Sequence, residues 1–382
     1  MAVKRALLAL LAVSLSPPAA SDIFDIFSSD KLTDGSRFAF APSKSDKSIV
    51  AIDATDHKVA AVIEIPHIAG SVVATNELDL LVATNPDNHS ATVVNLYNRE
   101  VIGELDLGMR PDVILPNAYD RFVTFGSADG TVSTWDLSNS QQVLRIDGLA
   151  TARLLTFSFD GSHLFVVEPT QKRISVIDMA KRDKVAEISL GGDADLNAEV
   201  SALSRSADGY TGYVSITSEN RIAVIDLVDW KVVESISVGR EPIRPFSTTD
   251  NRYVLVPNRG DESLTVIATR TRNVVATIPT GIEAREVNTG WLDTVAFVMP
   301  ASGDKIAVVD LQEFKAVSPI QLPGRSDDGI VTSDSKTLLA AIIETGQVAV
   351  IDAQSRELSA LFDSGTATLE GTEIAVSNNV CH

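Results

Sequence analysis

The sequence has little of what usually fastens or anchors a chain. It holds one cysteine, Cys381, so no internal disulfide can form and stability must come from packing. Aromatic residues make up only 5%, and 32 lysines and arginines face 51 aspartates and glutamates, a formal net charge of −19. So acidic a surface repels nucleic acid and anionic membranes, and excludes both as expected partners. After the first twenty-odd residues no apolar run is long enough to span a bilayer. No segment sustains helical periodicity, and G-x-S-x-G, H-E-x-x-H, Walker A and G-x-G-x-x-G motifs are all missing. The five histidines are scattered, so no triad or metal cluster is legible.

The one conspicuous apolar run is at the start. Lys4 and Arg5 precede an apolar stretch from Ala6 to Leu15, and small residues follow around Ala20 and Ser21. That pattern predicts a secretory signal over 1–20 and a single exported domain over 21–382, periplasmic or secreted and monomeric. Removal of 1–20 would take the formal charge to −21.

What is present is repetition. "RISVIDMAKRDKVAEISLG", "RIAVIDLVDWKVVESISVG" and "KIAVVDLQEFKAVSPIQLPG" are near-copies of one hairpin. The residues closing its first apolar run are Asp53, Asn95, Asp136, Asp178, Asp226, Ala268, Asp310 and Asp352, at steps of 42, 41, 42, 48, 42, 42 and 42. A second run precedes each hairpin, for example "LLVATN" and "HLFVVE", and polar turns such as "DGS" and "SDS" separate the runs. Four short strands per period, with no room for crossover helices, predict an all-β propeller of four-stranded antiparallel blades. Eight blades is the leading count and seven the alternative. "DGSRFAFAPS" near the start matches "EGTEIAVSNN" near the finish, so the final segment is expected to pair with the opening blade. The recurring aspartate reads as structural, accepting backbone N–H bonds in the turn that follows.

The stretches "LVATN", "ISVID", "IAVID" and "ATIPTG" resemble the YVTN-type β-propeller repeat family. More distantly, an exported eight-fold propeller is similar to the haem d1-binding propellers of denitrifying bacteria. These resemblances imply a propeller scaffold whose members include binding proteins, lactonase-like enzymes and carriers of haem-linked chemistry.

Chemistry on such a frame belongs where the copies differ. The loops entering each new blade carry His67, Arg110, Arg153, Arg240, Arg244, Arg285 and Arg325, an unexpected concentration of cations in an acidic chain. Gathered around one channel mouth they would form a cationic ring for a carboxylate- or phosphate-bearing ligand, with His67 as axial ligand or proton donor. The competing reading pairs these arginines with neighbouring acids (Asp112, Glu241, Glu283, Asp327). Asp193, Asp195, Asn197 and Glu199 alternate through the one long step in the manner of a calcium loop, without the glycine such a loop needs. Cys381 and His382 could bind copper or zinc. The main expectation is a non-enzymatic scaffold for a partner protein or anionic small molecule; the alternatives are a tetrapyrrole-binding or maturation protein of the haem d1 type, or a lactonase-like hydrolase.

Overall fold

A computed structural model of the chain describes residues 32, 34, 37–75, 78–117, 121–326, 328–365 and the strand 375–376. Residues 1–20, expected to be a secretory signal, Asp327 and the Cys381–His382 tail lie outside the described residues.

Each period folds into one blade. In blade 2 the strands are Val72–Ala74, Leu80–Asn85, Ser90–Asn95 and Glu100–Asp106, paired antiparallel in sequence order. Eight such sheets form. In the sequence the middle strands look half-buried, as in "SIVAID", yet that strand is buried along its whole length. Blades stack against both of its faces, so near-continuous apolar runs suit it. The fourth strand is outermost and carries exposed apolar side chains such as Val62 and Ile102. In blade 7 this strand breaks into Lys315–Ala316 and Ile320–Gln321, and Pro319 stands in the gap, where it has no N–H to give a ladder.

The apolar cores are seams between blades. Among the described residues eight clusters occur, one for each neighbouring pair of blades. One joins Ala39 and Ile52 of blade 1 to Leu339 and Val350 of blade 8, so packing closes the ring. The final segment adds to this: Val376 and Ala375 pair with Ala39 and Phe40 as the innermost strand of blade 1.

The hairpin aspartates do what their position predicts. Asp53 accepts from the N–H groups of Thr55 and Asp56, and Asp226 from those of Val228 and Asp229. Four residues after each closing residue the chain turns left-handed, at His57, Arg99, Ser140, Arg182, Trp230, Arg272, Phe314 and Arg356, with φ between 50° and 64°. None of the eight is glycine.

Candidate functional site

The innermost strands of neighbouring blades lie side by side around a common axis. Register identifies equivalent places on this wall. Val113, Leu154 and Glu286 pair with Gly126, Val167 and Met299, the fifth residue of each second strand. Counting along the same registers, Ser71, Ala202, Arg244 and Asp328 take that place in blades 2, 5, 6 and 8. All seven retain accessible surface, whereas the middle strands behind them are buried. This level of the channel is two-sided. Val113, Leu154 and Ala202, all half-buried, form an apolar arc over blades 3 to 5, with Val113 and Leu154 also packed against the seams of blades 3 and 4 and of blades 4 and 5. Arg244, Glu286 and Asp328 form a charged arc over blades 6 to 8, with exposed Arg285 next to Glu286.

Glu286 is the most perturbed group on the arc. Its Oε1 accepts from the Gly329 N–H at 3.2 Å and from Asn288 Nδ2 at 3.3 Å. Asn288 also donates to the Gly329 carbonyl at 3.2 Å, so the pair pins the inner strand of blade 8. Burial, and then the Asp328 carboxylate, push the Glu286 carboxyl up to about 8, against the pull of Gly329, Arg285 and Asn288. The loop reading passed over Glu286 because it followed arginines. The signal was there in the spacing, since Arg244, Glu286 and Asp328 stand 42 residues apart in succession.

The arginines singled out in the sequence divide between two places. Arg244 takes one of the register places on the channel wall, and Arg285 stands one residue before Glu286, as Arg153 does before Leu154; neither Arg244 nor Arg285 is without a partner of its own. Arg110, Arg240 and Arg325 instead tie their loops to the turn between the second and third strands of a blade. Arg240 Nε meets Asp261 at 2.6 Å, Arg325 Nε meets Glu344 at 2.5 Å, and Arg110 lies 3.8 Å from Asp87 and 3.4 Å from Asp112. Glu241 pairs with Arg259 at 3.2 Å rather than with Arg240. Arg153 is exposed, one residue before Leu154 of the apolar arc. His67 reaches a third strand: Nε2 lies 2.8 Å from Thr92 Oγ1, while Nδ1 lies 3.1 Å from the Ile68 carbonyl and must donate to it.

The acidic loop is occupied with its own backbone. Asp195 Oδ1 accepts from the Asn197 N–H, and Glu199 lies 3.7 Å from Arg259. Among the described residues no three histidine, cysteine, aspartate or glutamate side chains are placed to hold one ion.

Comparison with known proteins agrees with this architecture. No curated protein matches the sequence. Among solved structures, the chain is similar to dihydro-heme d1 dehydrogenase NirN in complex with DHE, with a TM-score of 0.66 and 20% identity over 76% of this chain. It spans 64% of that protein's length. Kuenenia stuttgartiensis hydrazine synthase matches with a TM-score of 0.55 and 18% identity, over 74% of this chain and 95% of the other. The β-propeller domain of Myceliophteria thermophila Cps50 (Swd1) matches with a TM-score of 0.59 and 12% identity, over 77% and 98%. At such identities these likenesses concern the fold. The sequence itself decides the lineage: the model of the cytochrome D1 heme domain matches residues 163–378, more than half of the chain, and the chain belongs to that family.

Proposed function

We propose that this chain is a haem d1-related propeller that binds an anionic tetrapyrrole at its channel mouth, after export directed by residues 1–20. The observation that carries the reading is the two-sided ring. A tetrapyrrole offers a flat apolar face and a rim of carboxylates. Val113, Leu154 and Ala202 suit the face, and Arg244 and Arg285 suit the carboxylates through their planar forks. The family match and the NirN-like fold favour the same ligand class. The residues present fit the macrocycle and its rim rather than an iron. No described histidine stands on an inner strand, and His67 has both ring nitrogens engaged elsewhere. Iron bound in the ring would supply redox chemistry; the chain's own contribution is to bind, orient and shield.

The test is a titration of the purified full chain with coproporphyrin, a tetracarboxylate porphyrin, followed by its absorption spectrum. Arg244→Ala should weaken binding by about tenfold or more, since an arginine–carboxylate pair is worth about 1.5–3 kcal/mol. Arg240→Ala, at a loop tie off the wall, should bind like the unaltered protein. Absence of porphyrin binding, or equal losses in both variants, would refute the reading.

A further inference from the structure

The carboxyl of Glu286 is arranged as an acid rather than as a carboxylate. Both of its hydrogen bonds from described residues fall on Oε1, the donors being the Gly329 N–H and Asn288 Nδ2. Among the described residues Oε2 takes none, and Glu286 keeps accessible surface on the channel wall. A carboxylate in a half-buried wall gathers donors on both oxygens or pairs with a cation. A neutral acid needs acceptor bonds on its carbonyl oxygen alone and keeps one O–H to give. Position adds a second argument. Asp328 holds the equivalent place one blade on, so two like charges would meet if both groups ionised.

We propose that Glu286 serves the channel as a hydrogen-bond donor: while neutral it presents Oε2–H to an oxygen on the rim of the bound ligand, and its ionisation closes the site to anions. The inference rests on the tetrapyrrole reading for the identity of the ligand. The charges facing Glu286 set the sense of the switch. Arg285 adjoins it on its own strand, and Arg244 stands at the same level just before the inner strand of blade 6, Phe246–Ser247. Asp328 approaches from blade 8, Glu283 lies in the loop before the strand, and Arg325 in the loop before blade 8 is already tied to Glu344. With Glu286 neutral, the site holds Arg244 and Arg285 against Asp328 and Glu283, and neither arginine is without a partner. Ionisation of Glu286 adds one negative charge there, which weakens the attraction for a carboxylate rim, and removes the donor. A proton held at Oε2 leaves to solvent, and no other bond changes.

Two measurements on the full chain decide it. The first follows coproporphyrin affinity from about pH 6 to about pH 9.5, a window in which ordinary carboxylates stay ionised. The unaltered protein should lose about tenfold or more in affinity across it. Glu286→Gln copies the neutral acid, with an amide oxygen to accept and an N–H to donate, and should bind at both ends of the window with similar affinity. Parallel losses in protein and variant would overturn the inference. The second needs no ligand: carboxyl-carbon NMR of glutamate-labelled protein, with the Glu286 signal assigned by its loss in the Gln variant. Titration above neutrality supports the proton-holding role, whereas titration in the ordinary glutamate range overturns it even if porphyrin binds. Failure of any porphyrin to bind would instead strike the tetrapyrrole reading.

Discussion

Glu286 on the inner strand of blade 7 and Asp328 just before that of blade 8 hold the same register place, 42 residues apart in the chain, so each feels the other's charge across the seam of blades 7 and 8. That relationship has a consequence for stability. Glu286 titrates at about 8 in the folded chain against 4.5 ordinarily, so between those values the folded state binds more protons than the unfolded one. Its contribution is therefore complete below the ordinary value and drains away as pH rises toward 8. Thermal unfolding of the unaltered chain should shift downward between about pH 5 and about pH 8.5, and Glu286→Gln should remove most of that shift. An equal slope in both proteins would place the titrating group elsewhere.

At the acid end the sign reverses. Asp136 lies buried at the end of a third strand and is held down to about 2 by Arg121, which meets it at 2.6 Å, and by Ser138. Its contribution is present above the ordinary aspartate value and is lost as pH falls toward 2. Asp136→Ala should cost about 1–3 kcal/mol in urea unfolding near neutrality, because Arg121 and the Ser138 N–H lose their acceptor. The variant should also lose part of the acid sensitivity. Blade 6 bears the natural counterpart, with Ala268 in the aspartate's place and Arg252, the equivalent of Arg121, 3.7 Å from Asp250 instead. A cost near zero for Asp136→Ala would mean that Arg121 finds a similar substitute.

Most of the frame was legible in the sequence, because a ring of blades must repeat its buried strands and each hairpin needs its acceptor. The period alone placed Asp53, Asp226 and the others at their turns. The site was less legible, for a physical reason. Sequence neighbours suggested Glu241 for Arg240 and Asp327 for Arg325, but the turn between second and third strands folds back over the loop. Arg240 therefore meets Asp261, 21 residues on, and Arg325 meets Glu344, 19 residues on. Glu286 could have been found by reading down the blades at a fixed step instead of along each loop. The sequence also hid the left-handed turn residues, since none carries the glycine that normally marks such a conformation.

Those eight turns offer a test of how far the frame depends on side chains. His57 turns at φ 53°, is exposed, and makes no hydrogen bond or ion pair among the described residues. A side chain in this region crowds its own carbonyl at a cost of about 1 kcal/mol, which glycine avoids while giving up some entropy in the unfolded chain. The balance at a site already held left-handed favours glycine, so His57→Gly should stabilise the fold by about 0.5–1 kcal/mol, a gain readable in chemical denaturation. Phe314 turns in the same way but packs edge-on against Tyr253 with ring centroids 5.3 Å apart. There the lost contact, worth about 0.5–1.5 kcal/mol beyond the buried area, should outweigh the conformational gain, so Phe314→Gly should destabilise. Opposite signs at two equivalent turns would separate backbone strain from packing. Destabilisation at both would mean that the left-handed turn itself is cheaper in this frame than its φ suggests.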